Sequence, residues 1–191
     1  MLYVHVGTAL PNYFLVDKYK TNLEENFTVC YGEQRGGGLS YNSKISIETM
    51  TFEQLANDAI EITNYLRLRF GKDKIYIMAH SGGTPIAVQA VTKAPELFSA
   101  YIGMGQITSQ AESEKIAYKY MVEQYTLIGN SKALAELKKY PILANEKSYT
   151  SFFKSLFRDK ALHELGIGTM RNMKSVFSGI FIPVWTCKAY T

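Results

Sequence analysis

Short apolar runs alternate with helix-like segments along the first half of the chain. Each run is rich in aliphatic, β-branched or aromatic residues and is bounded by Gly, Pro, Asn or charged residues, which is the pattern of a β-strand. Strands are expected at residues 1–6, 27–31, 74–79 and 98–104. Helices are expected between them, at residues 13–22, 51–70 and from 85 to about 95. This order predicts a parallel sheet with helices on both faces, joined by right-handed crossovers.

The segment 51–70 has the clearest helical pattern. Thr51 is the predicted N-cap, and Gln54 three residues later completes a capping box. Gly71 is expected to end the helix. The apolar positions of the segment recur at helical spacing and predict one buried face: Leu55, Ala59, Ile62, Leu66 and Phe70.

The pattern changes beyond residue 107, where helix-like segments follow one another without an intervening strand. They cover residues 111–127, 131–140 and 150–163, with Ser131 and Thr150 as expected N-caps. We therefore expect an α/β core over residues 1–107 and a helical cap over 108–191. Such a cap would lie at the carboxyl ends of the strands, where open α/β sheets bind ligands.

Composition narrows the class of protein. The chain has 191 residues, of which 47% are hydrophobic and 20% charged, as in ordinary globular proteins. Its net charge of +4 comes from scattered basic residues, which argues against a nucleic-acid partner.

No apolar run is long enough to span a membrane, and no signal peptide is visible. The two cysteines, Cys30 in an apolar run and Cys187, indicate a buried thiol rather than a disulfide framework or zinc site, so a cytoplasmic protein is expected.

The segment 75–84 reads as a strand, a sharp turn and the start of a helix. Ser81 lies at the turn, with the small residues Ala79 and Gly83 two positions to either side. This A-x-S-x-G pattern is that of a nucleophile elbow, in which a strained Ser is exposed between strand and helix. A plain strand-to-helix turn would give a similar pattern.

Two further loops follow the first and second predicted strands: His5-Val6-Gly7-Thr8-Ala9 and Glu33-Gln34-Arg35-Gly36-Gly37-Gly38-Leu39-Ser40. With the elbow, they are expected at one edge of the sheet. The chain at this point resembles the α/β-hydrolase superfamily, and within it the proline iminopeptidase (prolyl aminopeptidase) branch. That branch has an HGGPG-like loop, a DQRGxGxS-like loop and a GxSxGG elbow in this order. The resemblance covers residues 1 to about 107, and less specifically the tail around residues 166–173.

This chain departs from the family pattern in each loop. The first loop keeps His5 and Gly7 but not the Pro and the other glycines, Glu33 replaces Asp, and Ala79 replaces the first Gly of the elbow. Alanine still meets the steric requirement of the turn, so the Ser81 assignment is kept. These departures affect the prediction of the substrate class more than the prediction of a hydrolase.

The resemblance implies a serine hydrolase chemistry. Ser81 would attack a carbonyl, and the Gly82 N–H and the Gly7 N–H would donate to the oxyanion. His5 and Glu33 would organise the loops, together with Arg35, which would pair with Glu33 or brace the loops. No metal or cofactor is implied.

The catalytic base is not evident among the three histidines. His5 belongs to the first loop, the His80 side chain is expected to point away from Ser81, and His163 lies in the expected cap. In the superfamily the acid and the His follow later strands. The economical interpretation is an internal piece of a longer hydrolase, lacking opening strands and the acid and His; a truncated gene product is the alternative. These residues alone are expected to be inactive.

The leading hypothesis is an aminopeptidase that acts on small peptides through an acyl-enzyme. In this branch, acidic cap residues bind the substrate's amino group, and the candidates here are Glu112, Glu114 and Glu123. One alternative is an esterase or lipase-like acyl hydrolase on the same fold. Another is a non-catalytic remnant or binding module. The sequence does not indicate an oligomeric state.

Overall fold

The computed structural model of the protein describes residues 1–5, 21–139 and 152–167. The chain divides into two compact units, Met1–Thr108 and Ser109–Thr191. The helix expected over residues 13–22 falls mostly outside the described residues, and Asn22–Glu25 form a 3-10 turn. None of the described helices combines the length and the apolar character needed to cross a membrane.

The first unit contains a parallel sheet, as the alternating pattern predicts. Its strands are β1 (Leu2–Val4), β2 (Cys30–Gly32), β3 (Ile75–His80) and β4 (Phe98–Met104), in the spatial order β2-β1-β3-β4. β2 is shorter than the apolar run that predicted it. Cys30 in β2 is half-buried rather than fully buried, although it packs against the main core.

Two helices of the first unit pack on the sheet, α1 (Phe52–Phe70) and α2 (Thr84–Lys93). Their buried residues form one core with alternate strand residues, which lie on a single face because side chains alternate along a strand. That core includes Leu2, Val4, Ile77, Ala79, Leu55, Ala59, Ile86 and Ala90. Both helices therefore cover the same face.

The N-cap of α1 is as predicted, but the capping box is half formed. The Thr51 side chain accepts from the Gln54 N–H at 3.1 Å, whereas the Gln54 side chain turns to Asp58 at 2.9 Å. Gly71 ends the helix with a φ of 58°.

The predicted face of α1 is buried at Leu55, Ala59 and Leu66, and the prediction fails at the C-terminal end of the helix. Thr63 is fully buried, Ile62 is half-buried, and Phe70 is 43% exposed. Thr63 lies four residues after Ala59, so helical geometry places it within the buried stripe. Phe70 belongs to the last turn, whose side chains reach solvent.

The second unit contains α3 (Gln110–Leu127), α4 (Ser131–Lys138) and α5 (Phe152–Glu164). Asn130, and not Ser131, caps α4, because its side chain accepts from the Ala133 N–H at 3.0 Å. Thr150 lies outside the described residues. The unit has its own core, with Met121, Tyr125, Leu137 and Ala161 buried. Its role as a cap stays a prediction.

Candidate active site

The strand register brings three loops to one edge of the sheet. Val4 in β1 pairs with Gly32 in β2 and with Ala79 in β3. The strands are parallel, and their last residues are paired with one another. The residues that follow them therefore lie at the same edge of the sheet: His5, Glu33 and Ser81. The segment after β4 emerges there as well, since Met104 pairs with His80. This fourth segment was not singled out from the sequence.

Ser81 forms a strained turn between β3 and α2. Its φ is 49°, which makes it the one non-glycine residue with a positive φ within the described ranges. The left-handed region costs an L-residue about 1–2 kcal/mol, so the surrounding structure has to hold it there. The Thr84 hydroxyl donates to the Ser81 carbonyl oxygen at 2.6 Å. A strand, a strained Ser and a helix in this order agree with the geometry expected of a nucleophile elbow.

The small residues beside Ser81 have a steric cause. A Cβ on Gly83 would lie 2.5 Å from the carbonyl oxygens of both Val4 and His5. The elbow therefore packs directly on the backbone at the end of β1. Ala79 is fully buried within the core, so a methyl group is accommodated at that position.

The expected oxyanion donors lie on two loops, of which the structure describes one. Gly82 follows Ser81 in the 3-10 turn Ser81–Gly83 that leads into α2, where backbone N–H groups at a helix start have no helical partner. Gly7 lies outside the described residues. Its contribution to an oxyanion hole stays a prediction.

His5 connects the first loop to the second. Its ring is buried, at 2% exposure, and Nε2 accepts from the Gln34 backbone N–H at 3.3 Å. The Gln34 side-chain amide donates in turn to the His5 carbonyl oxygen at 3.3 Å. Since Nε2 accepts this bond, Nδ1 is the ring nitrogen left to donate. Gln34 was not predicted as a site residue, although it stands in the run Glu33-Gln34-Arg35.

Glu33 closes the second loop on itself. Its carboxylate accepts from the Leu39 N–H, and its carbonyl oxygen accepts from the Ser40 hydroxyl at 3.2 Å. Gly38 lies so close to this carboxylate that a Cβ there would collide with it. The contacts hold the glycine-rich segment as a compact turn.

Arg35 pairs with Asp58 of α1, and the expected pairing with Glu33 is not formed. Two guanidinium nitrogens contact the two Asp58 oxygens at 2.7 and 2.6 Å. Burial opposes ionisation of Asp58, but the hydrogen bonds from Arg35 and Gln54 and the Arg35 charge outweigh it and lower its pKa. The pair anchors the second loop to α1. Asp58 is separated from Arg35 by 23 positions, so nothing local in the sequence indicated it.

The two histidines of the first unit make their described contacts away from the Ser81 hydroxyl. Neither His5 nor His80 forms a hydrogen bond with the Ser81 hydroxyl in the described structure. The His80 ring lies beside Gly105, and burial lowers its pKa. His163 is on α5 of the second unit.

The three acidic candidates of α3 each have a cationic neighbour. Glu114 binds Arg158 at 2.9 Å, Glu112 binds Lys115 at 2.7 Å, and Lys119 lies 3.9 Å from Glu123. The Glu114 pair is the least exposed of these, and Gln110 also donates to it at 2.9 Å. Any of them would have to exchange a cation partner for a substrate ammonium group.

A cavity of about 350 Å³ lies under the second loop, between the sheet and α1. Its lining includes Val4, Glu33, Gln34, Arg35 and Asp58, but not Ser81, so it is separate from the elbow. Across the described residues, no group of three or more His, Cys, Asp or Glu side chains is placed to hold a metal ion.

Comparison with known proteins agrees with this geometry. The profile of the family described as serine aminopeptidase, S33, matches residues 20–153. The probable aminopeptidase YbaC of Bacillus subtilis (strain 168) is 34% identical over 144 residues, which are 75% of this chain and 42% of that protein. The chain thus spans less than half the length of this curated relative.

A solved structure shows the same fold. The crystal structure of the proline iminopeptidase-related protein TTHA1809 from Thermus thermophilus matches with a TM-score of 0.50 at 17% identity. The match covers 94% of this chain and 63% of that one. The family and the relative together confirm the resemblance to serine aminopeptidases, and the solved structure agrees with the fold.

Proposed function

Since the chain belongs to the serine aminopeptidase S33 family of α/β-hydrolases, we propose that Ser81 is the nucleophile of an aminopeptidase acting on small peptides. The observation that carries this proposal is the left-handed Ser81, at φ 49°, between a parallel strand and a helix. An ordinary strand-to-helix turn has no need to hold a serine in that strained conformation.

The proposed reaction is acyl transfer through a covalent intermediate. Ser81 Oγ attacks the carbonyl carbon of the first peptide bond, and the carbonyl oxygen becomes an oxyanion facing the Gly82 N–H, with Gly7 as the second donor. A general base takes the Ser81 proton and returns it to the leaving nitrogen, so collapse of this intermediate expels the amine and leaves an ester on Ser81. Water then hydrolyses the ester and releases the free amino acid. Each oxyanion donor is worth about 3–4 kcal/mol in the transition state.

The described loop contacts support this arrangement because they hold the sheet edge beside Gly82 in place before substrate arrives. Gln34 holds His5 at the point where the first loop leaves β1, and Gly83 packs against the same carbonyl. The Arg35–Asp58 pair fixes the second loop on α1. Preorganised donors of this kind need no reorganisation when charge develops. In this proposal His5, Glu33 and Arg35 organise the loops rather than touch the substrate.

A general base is required for turnover, and neither His5 nor His80 is hydrogen-bonded to the Ser81 hydroxyl in the described structure. Without a base Ser81 stays protonated and weakly nucleophilic. Loss of the whole triad costs about 10⁶-fold in kcat in a well-studied serine protease. We therefore expect no useful turnover from the 191 residues by themselves.

An active-site-directed fluorophosphonate tests the proposal. The complete gene product and the 191-residue chain are each treated with the probe, and the labelled peptide is identified by mass spectrometry. We expect labelling at Ser81 of the complete product and its loss in Ser81→Ala. Ser99→Ala is the matched control, because Ser99 is an exposed serine on β4.

The outcomes separate the candidate functions. Absence of labelling in the complete product would contradict an enzymatic role and favour a binding module. If Ser81 is labelled, aminoacyl amides and short-chain esters are compared as substrates. Turnover of the esters without turnover of the amides would favour an esterase over a peptidase. Turnover by the 191-residue chain that Ser81→Ala abolishes would contradict the expected inactivity of that chain.

A further inference from the structure

Thr84 is a fully buried polar residue directly behind the elbow, with 0% of its surface exposed. Its hydroxyl makes two hydrogen bonds. It donates to the Ser81 carbonyl oxygen at 2.6 Å and accepts from the Ile107 N–H at 3.0 Å. A carbonyl oxygen can only accept, so the hydroxyl proton points toward Ser81, and a lone pair of the same oxygen faces the Ile107 N–H.

The Ser81 carbonyl belongs to the same peptide group as the Gly82 N–H. That group is planar and trans, so the C=O and the N–H point in opposite directions and turn together. A bond that fixes the carbonyl therefore fixes the N–H. We propose that Thr84 is a positioning residue, whose hydroxyl orients the Ser81–Gly82 peptide so that the Gly82 N–H faces the oxyanion. The inference rests on the proposed function, in which Gly82 is an oxyanion donor.

A local helix contact would account for only one of the two bonds. Ser and Thr hydroxyls near a helix start commonly bond to a carbonyl of the preceding turn. Ile107, however, is 23 positions away, in the segment that follows β4. Thr84 thus joins the strained turn to a second segment at the same sheet edge. A purely local contact would leave the Ile107 N–H without this partner.

Substitutions at Thr84 separate the hydroxyl from the side-chain volume. Thr84→Val keeps the shape and removes both hydrogen bonds, and Thr84→Ser keeps the hydroxyl. If the Thr84→Val variant does not fold, Thr84→Ala is used in its place, because it also removes the hydroxyl and leaves space for water. Thr92→Val is the matched control, because Thr92 also bonds to a backbone carbonyl on α2, at 2.8 Å, but is exposed.

The first measurement is the rate of fluorophosphonate labelling at Ser81 in the complete gene product, resolved into binding and inactivation constants. In Thr84→Val the oxyanion donor is misdirected, and we expect the inactivation rate constant to fall by about 10- to 100-fold. This is smaller than the fall in kcat seen when a donor is removed altogether. Probe binding should stay the same. Thr84→Ser should restore the rate, and Thr92→Val should leave it unchanged. Thr84→Val reacting at the original rate would overturn the inference while the proposed function stands.

The second measurement does not depend on activity. Amide hydrogen exchange at Ile107 should be faster in Thr84→Val than in the original chain and in Thr84→Ser, because the N–H loses its acceptor. If Ser81 is not labelled at all, the proposed function fails, and exchange alone decides whether Thr84 holds the turn. Unchanged exchange at Ile107 would then overturn the inference.

Discussion

Replacing Gly83 with alanine places a methyl group against two backbone oxygens at the end of β1. The new Cβ would lie 2.5 Å from the oxygens of Val4 and His5 and 3.0 Å from the Val4 carbonyl carbon. An unforced carbon–oxygen contact is about 3.3 Å or more. The two backbone segments would therefore have to separate by about 0.8 Å. Neither oxygen belongs to a flexible side chain that could move aside.

The cost of this separation follows from where β1 lies. β1 is paired on both sides, with β2 and β3, so it cannot move without disturbing both ladders. Overpacking a tight site typically costs about 1–3 kcal/mol, and a backbone clash at two points belongs at the upper end. The backbone of Gly83, at φ −77°, is acceptable for alanine, which returns at most about 1 kcal/mol. We expect the free energy of unfolding to fall by about 2–3 kcal/mol.

Urea denaturation followed by circular dichroism measures this change, and amide exchange in β3 reports the first unit by itself. Gly71→Ala is the matched control. Gly71 has a φ of 58°, but a methyl group added there would meet no atom within 4 Å, so it tests conformational strain without a clash. Its cost should be about 1 kcal/mol. A Gly83→Ala variant no less stable than Gly71→Ala would refute the steric account of the elbow.

Two further predictions concern other parts of the chain. Asp58→Asn removes the partner of Arg35 and should lower the free energy of unfolding by about 1–2 kcal/mol at pH 7, since the pair is only partly buried. The pKa of Asp58 is lower in the folded chain than its usual value. The stabilisation by Asp58 is therefore fully present above pH about 4 and is lost as the pH falls through the pKa of Asp58 in the folded chain. If the original chain and Asp58→Asn still differed by the same free energy of unfolding at pH 2, the prediction would be wrong. In the second unit, Tyr125→Phe removes a buried hydroxyl that donates to the Ala161 carbonyl at 2.9 Å. It should cost about 1 kcal/mol in urea denaturation and leave Ser81 labelling unchanged, and a neutral effect on stability would show that the bond contributes nothing.

The sequence predicted the elements that depend on local chemistry. The four strands and the helices α1 and α2 follow from residue periodicity, and the N-cap at Thr51 follows from the hydrogen bond its side chain makes three residues ahead. The expectation failed at Phe70 and Ser131. Phe70 stands in the last turn of α1, where side chains reach solvent, and the neighbouring Asn130 makes the capping hydrogen bond that was expected of Ser131.

The sequence alone determined the position of the strained turn at Ser81, because such a turn needs small residues at fixed spacing. It also determined that the loops lie at one edge of the sheet, because parallel strands end at the same edge. The tertiary structure alone decided which side chains hold those loops in place. Gln34 meets His5 across 29 positions, and Arg35 meets Asp58 across 23. Thr84 meets Ile107 in the same way. Contacts of this kind depend on how the strands and helices pack, and residue periodicity carries no information about partners so far apart in the chain.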